Sequence, residues 1–109
     1  MAGGRHNLAM LLTDAGKPLE AEAEYRKAIA ISQKLVADNP AVTGFRAMLA
    51  NHHDALGNGL KHTGKPLEAE TEYRKAIALY QKLADDSPKN LDYSDGLANA
   101  LSEIGRAHV

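Results

Sequence analysis

The sequence predicts an all-α fold, an α-solenoid of about five helices set as antiparallel pairs. Three observations predict it. A long segment recurs inside the chain, apolar residues fall at steps of three and four, and Gly and Pro stand where helices should end and begin.

The repeat is explicit. Residues 16–40 align with 64–88 at an offset of 48, with 19 identities in 25 positions. Gly16-Lys17-Pro18-Leu19-Glu20-Ala21-Glu22 returns as Gly64-Lys65-Pro66-Leu67-Glu68-Ala69-Glu70. The same offset persists more faintly outside this block: Leu8 falls on Leu56, Leu12 on Leu60, Phe45 on Tyr93, Leu49 on Leu97, Leu56 on Ile104 and Gly57 on Gly105. The expected organisation is a partial unit over 1–39, a whole unit over 40–87 and the first helix of a next unit over 88–109. That is the make-up of a fragment of a longer array.

Five helices follow, over about 5–15, 18–38, 41–62, 66–86 and 89–108. The first rests on Leu8 and Leu12. The second carries Ala21, Tyr25, Ala28, Ser32 and Leu35 on one face, with Ile29 and Val36 beside them. The third carries Phe45, Leu49, His52 or His53, Leu56 and Leu60; the fourth Ala69, Tyr73, Ala76, Tyr80 and Leu83; the fifth Tyr93, Leu97, Leu101 and Ile104. Each set steps by three or four, one stripe of a 3.6-residue helix. Gly16 and Gly64 suit a left-handed residue closing a helix, and Pro18 and Pro66 suit a first turn, where the missing N–H is not needed. Asn39-Pro40 and Ser87-Pro88 read as a capping side chain followed by Pro at the first helical position. Glu22 with Arg26, and Glu70 with Arg74, are i, i+4 pairs in the favourable order. With connections this short, successive helices must be antiparallel neighbours.

These residues resemble the tetratricopeptide family. The resemblance rests on Leu56-Gly57, Leu60, Gly64, Glu68-Ala69, Tyr73 and Ala76-Ile77, and on the earlier copy Leu8-Ala9, Leu12, Gly16, Glu20-Ala21, Tyr25 and Ala28-Ile29. It implies a right-handed superhelical array in which small residues at 57, 69 and 76 let helices approach and the aromatic fills the gap between units. The usual period of that family is about 34 residues, and here it is 48. The excess is about seven residues per helix, close to two turns, so both helices lengthen without rotating the apolar stripe. The large aromatic expected early in each first helix is missing. Arg5, His53 and Leu101 stand there, which predicts looser packing between units.

The resemblance also implies a function: a non-catalytic scaffold that binds a peptide or protein on its concave face, lined by the first helix of each unit. The positions this indicates are His6, Met10 and Asp14; then Asn51, Asp54, Asn58, Lys61 and His62; then Asn99, Ser102 and Arg106. His6, Asp54 and Ser102 should be lateral neighbours, as should Met10, Asn58 and Arg106. A single such residue is more often an ordinary solvated position than a contact. The carboxylate-gripping set of some family members is not reproduced: Asn58 fits one place, but His6, Ala55 and Glu103 fill the others.

Composition narrows the remaining classes. Lys plus Arg is 13 and Asp plus Glu is 14, so no overall charge favours nucleic acid or an anionic membrane surface. There is no Cys, and no apolar run approaches the roughly 18 residues of a membrane helix. Cytoplasmic localisation is the default reading. No cofactor or metal is expected. His52 and His53 project about 100° apart on a helix, and no His has a His, Asp or Glu four residues on. The Glu20, Glu22, Glu24 and Glu68, Glu70, Glu72 sets read as an outward, solvated face near cations rather than as acid–base pairs. Gly57-Asn58-Gly59 lacks the strand and the Lys-Ser/Thr of a phosphate loop. The alternative to a peptide-binding scaffold is a structural spacer or self-associating array. On that reading Tyr93, Leu97, Leu101 and Ile104 present apolar surface for head-to-tail contact.

Overall fold

The structure, a computed structural model, describes residues 16–87, 89 and 91–107. The helix expected over 5–15 lies outside them. The rest is four helices: α1 (Pro18–Asp38), α2 (Thr43–His62), α3 (Pro66–Asp86) and α4 (Leu91–Ala107). No strand occurs among the described residues. Each helix packs on the one before it, and α2 also meets α4 lightly. This is a helical repeat array.

The 48-residue repeat is also a repeat of backbone. α1 and α3 both have 21 residues, beginning at Pro18 and Pro66. Gly16 and Gly64 both take φ of 77°, the left-handed region where a side chain is strained. At Gly64 the reason is visible. The Lys65 N–H reaches the Leu60 carbonyl at 2.9 Å and the Gly64 N–H reaches that of Lys61 at 3.3 Å. These two bonds close the C-terminus of α2 as a Schellman turn. Pro66 then opens α3 directly, so the chain reverses within three residues, Thr63 to Lys65.

The other reversal departs from expectation. Helix α2 begins at Thr43, not near 41, and its N-cap is Val42. Asn39 closes α1 instead of opening α2. Its backbone N–H and its side-chain amide both donate to the Leu35 carbonyl, at 2.9 and 3.2 Å. Pro40 and Ala41 form a turn between the two helices. Ser87 likewise closes α3, donating to the Leu83 carbonyl at 2.9 Å. Pro88 lies outside the described residues, and α4 starts at Leu91.

The expected stripes form the core. Tyr25, Ala28, Ile29 and Ser32 of α1 are buried, as are Ala69, Tyr73, Ala76, Tyr80 and Leu83 of α3. Helix α2 supplies Leu49, Leu56 and Leu60, and both His52 and His53 are buried beside them. A fully buried Leu contributes about 1.5–3 kcal/mol, and Leu56, Leu60 and Leu83 are, after Tyr73, the largest fully buried side chains of this small core.

On α4 the stripe is Tyr93, Leu97, Ala100 and Ile104, in steps of 4, 3 and 4. Ala100 is fully buried, while Leu101 is 53% exposed. Tyr93 and Leu97 pack against the cluster of Ala50, Ala76, Tyr80 and Leu83, and Ile104 against that of Leu56, Leu60 and Tyr73. The expectation that all four residues present an apolar face is therefore corrected. Only Leu101 is exposed, because the helix turns its Ala100 flank inward.

Candidate binding cleft between α2 and α4

Helices α2 and α4 are the first helices of successive units, and α3 lies behind them. Two glycines set their distance from α3. A Cβ on Gly57 would stand 2.7 Å from the Tyr73 ring, and one on Gly96 would stand 2.6 Å from the Tyr80 ring. Each tyrosine thus packs against a bare stretch of a first helix, Tyr73 against α2 and Tyr80 against α4. Their hydroxyls then reach past these helices. Tyr73 donates to Asn58 Oδ1 at 2.6 Å, and Tyr80 donates to Asn51 Oδ1.

Above Tyr80 the two first helices leave a cleft of about 420 Å³, lined by Ala47, Asn51, Asp54, Tyr80, Tyr93, Gly96 and Asn99. Three expected concave-face residues, Asn51, Asp54 and Asn99, meet here. Asn58 stands outside this lining, with its oxygen taken by Tyr73. Lys61 reaches across to Glu103 of α4 at 3.2 Å, and His62 and Ser102 are exposed. His6, Met10, Asp14 and the side chain of Arg106 lie outside the described residues. The cleft also includes residues the sequence reading did not assign to a site: Ala47, Gly96, and Tyr80 and Tyr93, which had read as core. One signal was available. Tyr73 follows Gly57 by 16 residues and Gly96 follows Tyr80 by 16, the two packing pairs that straddle α3.

Asp54 is the charged group among the described residues that line the cleft. It is half-buried, and its Oδ1 is shielded from solvent with no hydrogen-bond partner among the described residues. Burial, reinforced by the Glu103 carboxylate, pushes its carboxyl up to about 6. Burial and the Asp54 charge likewise push the Tyr80 hydroxyl up to about 12. The Tyr73 hydroxyl is raised too, by burial and then by Glu103 and Asp54.

Behind the cleft, the α2–α3 interface holds a buried polar pair. His53 Nδ1 lies 2.6 Å from Glu72 Oε2, and both residues are at least nine-tenths buried. Burial pushes the Glu72 carboxyl up, but His53 and Lys75, 3.4 Å away, outweigh it and hold it below the usual carboxylate value. Looser packing at position 53 was expected, and the pair fills it. The outward-face reading of the glutamates is corrected for Glu22 and Glu72. Glu22 is also buried, taking Arg26 at 2.9 Å and Lys65 at 3.4 Å. The i, i+4 pairing itself holds, with Arg74 to Glu70 at 2.6 Å. Among the described residues, no three His, Asp or Glu side chains gather where they could share an ion.

The geometry defines a class first: antiparallel helices repeated at fixed spacing, with a cleft between successive first helices, make a helical-repeat protein. A family model described as tetratricopeptide repeat matches residues 2–41, so that stretch is similar to a repeat of this family. Repeats of this family generally mediate protein–protein interaction and are typically non-catalytic. No curated protein matches the chain. No helix among the described residues is long and apolar enough to cross a membrane.

Proposed function

We propose that the chain is a non-catalytic protein-interaction scaffold that holds an extended peptide segment of its partner along the cleft between α2 and α4. The observation that carries this reading is the cleft itself. Two successive first helices, held apart by Tyr80, present Asn51, Asp54 and Asn99 to one hollow of about 420 Å³. Amide and carboxylate groups at a helix surface suit the backbone and side chains of a bound segment, and an array builds such surfaces by repetition.

Within the chain, the second helices are nearly copies, while first-helix positions such as 6, 54 and 102 carry His, Asp and Ser. Repetition maintains the scaffold, and variation falls on the face proposed to read the partner.

Asn99→Lys places a long cationic side chain in the cleft from an exposed position. Affinity capture with this variant should lose partners that the unaltered chain retains. Lys34→Ala, exposed on α1, should keep them. Retention of every partner by Asn99→Lys would place binding elsewhere.

A further inference from the structure

We propose that the α2–α4 cleft receives a cationic side chain, Lys or Arg, of the bound segment, with the Asp54 carboxylate as its ion-pair acceptor. This rests on the peptide-binding reading and specifies the chemistry of the partner.

Asp54 Oδ1 is a carboxylate oxygen closed off from solvent that no described group satisfies. A buried acceptor without a donor is unfavourable, more so when charged. Lys61 is held by Glu103 at 3.2 Å, and Arg46 lies 3.8 Å from Asp86. No Lys or Arg is among the described residues that line the cleft. The remaining lining is what a cation needs. Tyr80 and Tyr93 offer aromatic rings at the wall, and Asn51 and Asn99 offer amide groups beside the carboxylate. A guanidinium fits this set best, because its planar fork can bond Asp54 and an amide oxygen while stacking on a ring. The raised carboxyl of Asp54 agrees: burial and the Glu103 charge penalise its ionisation, and a bound cation offsets that penalty. Recognition of this kind belongs to one unit of the array. The equivalent positions at the 48-residue offset are His6 and Ser102, which carry no carboxylate.

The test is selection of a random dodecapeptide display library on the full chain, in parallel with Asp54→Asn. Selected sequences should share a Lys or Arg on the unaltered chain and lose that preference on Asp54→Asn. For a selected peptide, replacing its Arg with neutral citrulline should weaken binding to the unaltered chain on the order of tenfold or more, and to Asp54→Asn by much less. Helical circular dichroism and a thermal melt for Asp54→Asn no lower than that of the unaltered chain establish that the variant is folded. Peptides selected with no Lys or Arg in common, or citrulline binding as tightly as Arg, would overturn the cation and leave the cleft as a peptide site. No peptide selected, or selected peptides indifferent to Asn99→Lys, would overturn both readings.

Discussion

The sequence Gly57-Asn58-Gly59 puts two glycines inside one helix, yet only one has a packing reason. A Cβ at 57 meets the Tyr73 ring, which is fully buried and cannot step aside. A Cβ at 59 meets nothing within 4 Å. Gly→Ala in a helix interior gains up to about 1 kcal/mol, whereas overpacking costs about 1–3 kcal/mol. Gly57→Ala should therefore lower stability by about 1–2 kcal/mol, while Gly59→Ala should raise it by about 0.5–1 kcal/mol. Urea unfolding of both variants checks this, and a stabilised Gly57→Ala would contradict the close approach of α2 to α3. The two glycines are alike in the sequence. What separates them is which side of α2 faces a ring 16 residues further along the chain.

At the scale of elements, the faces of α2 carry opposite electrostatic burdens. Toward α4, Asp54 has its carboxyl raised to about 6, so the folded state binds a proton more tightly than the unfolded state does. Its contribution therefore improves as pH falls from neutral through 6 and is least favourable above that. Toward α3, Glu72 is held below its usual value, so its contribution is present at neutral pH and is lost as pH falls below about 4.5. The chain should be most stable near pH 5. Asp54→Asn should be the more stable protein at pH 8, by about 1 kcal/mol once solvent screening of a half-buried carboxylate is allowed for. That advantage should vanish by pH 4. Thermal melts across pH 4–8 measure it, and identical pH profiles for the two proteins would refute the burial of an uncompensated carboxylate. A carboxylate whose burial lowers stability is what the proposed binding role would require.

At the scale of the whole molecule, stability is a sum over neighbours, because each helix packs chiefly on the helices before and after it. Helices α2 and α3 are covered on both sides, whereas α4 is packed on α3 and only lightly on α2. Native-state hydrogen exchange should show its slowest amides in α2 and α3, with α4 opening at lower free energy. Uniform protection across all four helices would mean that the array unfolds as one unit.

Much of this was legible from residues alone. The core stripes of α1 and α3, the left-handed Gly64 and the prolines that open these helices follow from local chemistry, because 3.6-residue periodicity and the strain of φ near 77° act within a few residues. Asn39 shows the limit. Its type announces a cap, but whether it closes one helix or opens the next depends on where the chain turns. Position 53 shows it again: a lone His looked like a packing defect, because Glu72, which completes it, is a neighbour only once α2 and α3 are antiparallel. Likewise Leu101, the larger side chain, lost the core position to Ala100, since the rotation of α4 is set by Tyr80 against Gly96 and not by α4 itself. The sequence by itself determined the four described helices, their approximate extents and their repeat, which are properties of local pattern. Only the tertiary structure decided which polar side chains are buried and where the cleft opens, because burial and charge depend on what the opposite helix brings.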